Sequence, residues 1–276
     1  MRKRAFIIIF TCIVYLVSGC KKDKSSPNNT SGNSGGVTVK GIYADSLFFI
    51  RAVSSLIKPI TKGPGTYASI PEGLKIDETT GEIDANKSET GLKYKVTFTP
   101  ATGTAQTSTV IISGINYEDK IYNLSAGDSV AAPIYNANAK LALPGAGGSN
   151  VFDESGGCKN AGIVVNGTDA KINLALTVRN QGIDTGATQQ VKLAYRINDA
   201  SGKALNGLEV KIYFYRTVSE IPQYLTDLVA ERKSIIFNAS PVTTVSQAHA
   251  PLLASLATNV KRPARPRPPC IIVVSR

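Results

Sequence analysis

The chain has 276 residues, 31 Lys+Arg against 20 Asp+Glu and a formal net charge of +11, with 42% hydrophobic and 18% charged residues. So large an apolar share with so few charges excludes an intrinsically disordered chain, and the length provides for one or two domains with cores that need no staples. One histidine in the whole chain excludes a multi-His metal centre and leaves His249 as the sole base for any His-dependent triad.

Residues 1–19 read as a signal peptide. Arg2, Lys3 and Arg4 form a charged start, and residues 5–17 a mostly apolar run shorter than the roughly 20 residues that span a bilayer. Val17-Ser18-Gly19-Cys20 resembles the lipobox of bacterial lipoproteins. The resemblance implies cleavage before Cys20, a diacylglyceryl group on its thiol and an acylated amino terminus. Each buried methylene contributes about 0.8 kcal/mol, so two or three such chains anchor stably. It also implies an outer-membrane location, on the periplasmic or the cell-surface side, with the membrane itself as a partner through acylated Cys20. Loss of residues 1–19 leaves the mature chain at +8.

Residues 20–36 are the acylated cysteine and a tether rich in Ser, Asn and Gly, the composition of a flexible spacer. Gly32-Asn33-Ser34-Gly35-Gly36 matches G-x-S-x-G formally, but that elbow needs a strand before it and a helix after it. The run Lys21-Lys22-Asp23-Lys24 reads either as solvated spacer or as one of the short charged signals of surface-exported lipoproteins.

The first folded block spans residues 37–118. Val37-Thr38-Val39 alternates, and residues 46–53 (SLFFIRAV) predict a strand buried on both faces or a short helix. Tyr94, Val96 and Phe98 alternate with Lys93, Lys95, Thr97 and Thr99, a period of two, and Val110-Ile111-Ile112 closes the block. Between them lies IPEGLKIDETTGEI, residues 70–83. This segment resembles the signature LPxGLxID…TGxIxG of Ig-type, cadherin-like domains of bacterial surface proteins. The resemblance implies a sandwich in which Leu74, Ile76 and Ile83 face the core, Asp77 bonds nearby amides and Gly81 takes a positive φ. The chain departs from the pattern at Asp84-Ala85, where the family continues Gly-Thr-Pro. At the block's end Asn116, Glu118 and Asp119 are too few for calcium, which takes six to eight oxygens, and predict a solvated linker.

The second block spans residues 119–276, and no family resemblance is assigned to it. Ile172/Leu174/Leu176/Val178, Val191/Leu193/Tyr195/Ile197 and Val210/Ile212/Phe214 alternate as strands. Residues 198–202 predict the turn of an antiparallel hairpin. A short helix is predicted over 219–232, capped by Ser219, with Pro222 in its first turn and Ile221, Tyr224, Leu225, Leu228 and Val229 as its apolar stripe. A second is predicted over 242–259, and residues 271–274 read as a final buried strand. The fold class is therefore mainly β: two β-sandwich-like domains in tandem, the first Ig/cadherin-like, the second antiparallel β with one or two short helices.

Two cysteines, Cys158 and Cys270, remain in the mature chain besides Cys20. An oxidising compartment predicts a Cys158–Cys270 disulfide, and a zinc site lacks ligands. His249 reads as a surface or turn residue. Asp153 and Glu154, being adjacent, would point to opposite faces of a strand rather than flank one glycosidic bond. Lys261, Arg262, Arg265 and Arg267 alternate with prolines, an extended rod that presents guanidinium groups to lipid phosphate, anionic glycan or an acidic partner, or that merely carries the chain onward with its charges solvated. A chain outside the cytoplasm has no nucleic acid as partner. Tyr213, Tyr215 and Tyr224 stand in for absent tryptophan as sugar-stacking faces. The expected function is a non-catalytic surface or outer-membrane lipoprotein that binds a protein or envelope component, without cofactor or metal. The alternatives are a glycan-binding lipoprotein of an outer-membrane uptake system, or an extracytoplasmic hydrolase whose site lies among scattered Asp and Glu.

Overall fold

The computed structural model describes residues 41–54, 56–60, 63–145, 149–182, 185–235 and 268–276. The signal peptide, Cys20, the tether, residues 37–39, the helix expected over 242–259, His249 and the basic run with Lys261, Arg262, Arg265 and Arg267 lie outside the described residues. The protein is mainly β, as the alternating runs require. Residues 40–276 belong to one compact unit holding two lobes with separate cores, one built from residues 42–112 with Ala204 and the other from residues 115–273. The chain passes between the cores at 113–114, a few residues before the boundary expected at 118/119.

The first lobe contains β1 (Leu47–Phe48), β2 (Leu56–Ile57), β3 (Gly65–Ile70), β4 (Ile83–Asp84), β5 (Lys93–Pro100) and β6 (Gln106–Ile112). Four of them form a sheet in the order β1-β6-β5-β3, and β2-β4 form a second. The period of two in β5 aims Tyr94, Val96 and Phe98 into the core, each no more than 2% exposed, and β1 closes the sheet by running parallel to β6. The expected long element over 46–53 shrinks to the two residues of β1. Beyond it Ile50 is buried, but Val53 is 82% exposed, because the chain there leaves the β6 edge to reach β2.

The second lobe contains β7 (Ile115–Tyr117), β8 (Lys120–Asn123), β9 (Val130–Ala131), β10 (Pro133–Tyr135), β11 (Val151–Phe152), α1 (Gly157–Asn160), β12 (Ile172–Asn173), α2 (Leu174–Gln181), β13 (Thr188–Arg196), β14 (Asn206–Tyr215), α3 (Gln223–Ile235) and β15 (Cys270–Val274). Its main sheet has the order β11-β13-β14-β15-β8. The β13/β14 hairpin pairs Val191 with Val210 and Leu193 with Leu208, as the alternation predicts. The strand expected over 172–178 is instead two residues of β12 followed by α2. Asn173 accepts the Leu176 N–H and caps the helix, and Leu174, Thr177 and Val178 face the core at helical spacing. In α3, Ser219 makes no cap to the helix and Tyr224 is 65% exposed, whereas Ile221, Leu225, Leu228 and Val229 pack inward.

The two lobes repeat one plan. Tyr43, Asp45, Pro59 and Ile60 recur as Tyr117, Asp119, Pro133 and Ile134, 74 residues on, and Gly73, Thr79 and Ile83 recur as Gly162, Thr168 and Ile172, 89 residues on. In the first turn the Asp77 carboxylate accepts the N–H groups of Thr79 and Thr80 at 2.9 and 2.7 Å. In the second Asn166 Oδ1 accepts those of Thr168 and Asp169 at 2.9 and 3.3 Å. Asp77 N–H reaches Glu82 and Asn166 N–H reaches Lys171. The residue in the left-handed region is Gly81 (φ +71°) in one turn and Ala170 (φ +59°) in the other. Tyr43 donates its hydroxyl to the Gly81 carbonyl (2.7 Å) and Tyr117 donates to that of Ala170 (2.5 Å). The pair β2-β4 has its counterpart in β9-β12. The change of spacing from 74 to 89 falls in the longer connection 136–150 of the second lobe.

One element breaks the repeat. In the first lobe the first and last strands pair directly, β1 parallel to β6. In the second the corresponding β8 and β14 are separated by β15, parallel to each of them. The second lobe thus has two parallel ladders where a wholly antiparallel sheet was expected.

Candidate functional site

Of the sequence-predicted site residues, those in the described part serve the fold. Cys158 and Cys270 are buried thiols, not a disulfide. The physical reason is the sheet itself. Cys158 on α1 packs with Ile271 and Val273 on one face, while Cys270 sits with Ile272, Val274 and the α3 stripe on the other, so the plane of β15 lies between them. Burial, followed by the charge of Asp153, pushes the Cys158 thiol up to about 12. Asp153 accepts the N–H groups of Cys158 and Lys159 and so holds the start of α1. Glu154 takes both its bonds from Arg196 Nε, at 2.9 and 2.8 Å. The two carboxylates are turned to different partners. Tyr215 is buried, with Tyr213 packed beside it under Lys211, and Tyr224 is exposed on α3. Among the described residues no group of three or more His, Cys, Asp or Glu is placed to hold a metal.

The expected solvated linker is overturned. Asn116 and Asp119 are each 1% exposed, Asn116 against the first lobe and Asp119 inside the second. Asn116 Nδ2 donates to Glu89 Oε1 (3.1 Å) and to the Thr90 carbonyl (3.3 Å) of the first lobe. Close by, the Tyr195 hydroxyl meets Thr90 Oγ1 at 2.8 Å and accepts the Ile115 N–H at 3.2 Å. Asp199 accepts from Ser113 (3.1 Å) and Tyr135 (2.8 Å). Arg51 reaches the Ala200 carbonyl across the same seam. A small cavity there is lined by Ile50, Ser113, Tyr195 and Asp199. Burial raises the phenols of Tyr195 and Tyr135, the latter to about 12, so at neutral pH both keep the protons that these bonds need.

Asp119 does something its counterpart Asp45 does not. Asp45 is exposed and accepts the N–H groups of Ser46 and Leu47. Asp119, whose side chain is fully buried, accepts the Cys270 N–H at 2.6 Å and Arg232 Nη1 at 3.2 Å. The same Arg232 nitrogen donates to the Pro268 carbonyl at 2.9 Å. One carboxylate and one guanidinium from opposite ends of the lobe thus seize the entry of β15. At its exit, Ser275 and Arg276 donate their N–H groups to Tyr215 and Arg216. All five residues of β15 are buried, between the lobe core and the stripe of α3. This seam, strand and clamp together, is the most specialised feature of the described chain. The sequence signal for it was the repeated Tyr-x-Asp of 43–45 and 117–119, in which the second Asp departs from the turn role of the first.

No family model matches the chain, and no curated protein matches it. Among solved structures it is similar to the crystal structure of Drosophila N-cadherin EC1-4, at 12% identity and a TM-score of 0.18, over 62% of this chain and 48% of that one.

Proposed function

We propose that the chain is a non-catalytic, lipid-anchored protein of the bacterial envelope in which two Ig-type sandwich modules, joined rigidly, hold a protein-binding surface away from the membrane. The observation that carries this reading is the duplication. One turn-and-sandwich plan is built twice, and the carboxylates and amides at its conserved-geometry points (Asp77, Asn166, Asp84, Asn173) cap turns and helices, work that positions backbone and transforms no substrate. The lipobox at Cys20 supplies the anchor and residues 21–36 the tether. Lys261, Arg262, Arg265 and Arg267 are the candidate contacts to anionic envelope lipid or glycan, each worth about 1 kcal/mol near a charged surface. Metabolic labelling with a fatty-acid analogue, followed by membrane fractionation of wild type and Cys20→Ala, tests the anchor. The label should vanish and the variant should leave the membrane fraction; a labelled or still membrane-bound variant rejects the reading.

A further inference from the structure

An asparagine side chain is open to attack by its own main chain. When the next backbone nitrogen closes on the carboxamide carbon, ammonia leaves and a five-membered imide remains. Glycine in the next position has no side chain to obstruct that closure. The chain has two Asn-Gly pairs, Asn166-Gly167 and Asn206-Gly207, and the fold treats them differently. We propose that Asn206 is a self-modification site, converted to aspartate and isoaspartate, and that its conversion loosens the seam between the lobes. The proposal goes beyond the display reading and does not depend on the lipid anchor.

Three observations carry it. First, the attacking group and its target are already together. The Gly207 N–H donates to Asn206 Oδ1 at 2.7 Å. A C=O bond of about 1.23 Å then leaves the carboxamide carbon within about 3.9 Å of that nitrogen, and a turn of the side chain completes the approach. Second, Lys192 of β13 lies over Gly207: a Cβ there would meet Lys192 Cε and fall 3.3 Å from its Nζ. The ammonium favours the negative charge that forms on the nitrogen as it loses its proton, and then on the carboxamide oxygen. Third, Asn166 lacks this freedom. Its Oδ1 accepts from the Thr168 N–H, the Thr168 hydroxyl and the Asp169 N–H, three bonds that hold the side chain in its turn and that ring closure would break. The step needs no oxidant or cofactor. The Gly207 nitrogen gives its proton to solvent base and bonds to Asn206 Cγ, and the amide nitrogen takes up a proton and leaves as ammonia. Water then opens the imide at one carbonyl to give aspartate or at the other to give isoaspartate. Asn206 pairs in register with Tyr195, whose hydroxyl bonds Thr90 of the first lobe, and it lines the seam cavity together with Asp199. Aspartate there puts a second carboxylate on that cavity, and like charges sharing a site repel. Isoaspartate adds a methylene to the main chain of β14 at the Tyr195 pair. Either product works against the seam.

Trypsin supplies the test, because cleavage after Lys159, Lys171, Lys203 and Lys211 puts the two pairs in separate peptides, residues 160–171 and 204–211. The full-length protein is incubated at mildly alkaline pH, where the attacking nitrogen loses its proton more often, then digested and read by fragmentation mass spectrometry. In the folded protein the amide-to-acid mass change should appear at position 206 several-fold faster than at 166. In urea the two rates should converge, because the fold alone distinguishes the sites. Lys192→Gln should slow conversion at 206 several-fold and leave 166 unchanged. Equal rates at the two positions in the folded protein, a preference that persists in urea, or an unchanged rate in Lys192→Gln overturns the proposal. Calorimetry reads the seam. Incubation should turn the single unfolding transition of the wild type into two. Asn206→Gln, whose longer side chain does not close the five-membered ring, should keep one transition through the same incubation, and Lys192→Gln supplies the slowed comparison if that variant does not fold. A fully converted wild type that still melts in one transition overturns the loosening. These readouts are separable from failure of the anchor, which is read by acyl labelling alone.

Discussion

A Cβ on Gly81 would lie 2.6 Å from the Tyr67 ring, at a φ of +71°. The equivalent Ala170 already carries a Cβ at φ +59°, in surroundings that have room for it. The two positions therefore respond oppositely to substitution. Gly81→Ala adds left-handed strain of about 1–2 kcal/mol to overpacking of about 1–3 kcal/mol and should lower stability by about 2–5 kcal/mol. Ala170→Gly relieves the same strain but loses a buried methyl of about 0.8 kcal/mol, so urea unfolding should shift by under about 1 kcal/mol. Equal effects would mean that the turns are not equivalent. Asp77 offers a pH test. The amides of Thr80 and then Thr79 hold its carboxyl below the ordinary aspartate value of 3.8. A group with a lowered folded-state pKa stabilises fully above its unfolded value and loses that contribution as the pH falls through the folded one. Asp77→Asn keeps the acceptor, as Asn166 does in the second lobe. The variant should therefore melt near wild type at pH 7 and lose less stability than wild type between pH 4 and pH 2. Parallel melting curves for the two proteins across that window would count against it.

At the scale of elements, the clamp on β15 separates an ion pair from a simple hydrogen-bond acceptor. Asp119→Ala strands the Arg232 guanidinium and the Cys270 N–H in a buried site and should cost about 3–5 kcal/mol. Asp119→Asn still accepts the N–H and should cost less, about 1–3 kcal/mol. Chemical denaturation measures both, and two variants of equal stability would show that the carboxylate charge plays no part. The same lobe shows where periodicity misleads. Ile172, Leu174, Leu176 and Val178 alternate in sequence, yet Asn173 in the cap position turns the chain into α2 after two extended residues, and only the positions three and four apart reach the core. In β13 and β14 no capping residue intervenes, and the alternation is what the structure contains.

For the whole molecule, Tyr195 couples the lobes. It belongs to the second core, yet its hydroxyl bonds Thr90 of the first lobe and the Ile115 amide of the passage between them. Gly91 strengthens the closeness: a Cβ there would fall 2.4 Å from the Ile115 carbonyl carbon. Tyr195→Phe removes the bridge, leaves a buried amide unsatisfied and should cost about 1–3 kcal/mol. Its sharper signature is calorimetric. Wild type should unfold in one transition, and the variant in two, as each core melts by itself. A single transition in the variant would show that the seam holds without this bond.

How much of this was legible beforehand follows from the range of the forces involved. Local patterning by itself determined the mainly β class, the β13/β14 hairpin with its turn and the buried strand over 271–274, and the resemblance carried by residues 70–83 implied the Asp77 and Gly81 roles in the first turn, since each depends on residues within a few positions of one another. The second copy of that turn escaped because Asn166 and Ala170 replace Asp77 and Gly81 while reproducing the same bonds, so the geometry persisted where the letters did not. Only the tertiary structure decided that Asn116 and Asp119 are buried, that Cys158 and Cys270 lie on opposite faces of one sheet, and that a strand from residue 270 parts β8 from β14. Those facts depend on contacts between segments from some twenty-six to more than a hundred and fifty residues apart, and no local pattern records which face of a sheet a distant strand will turn toward.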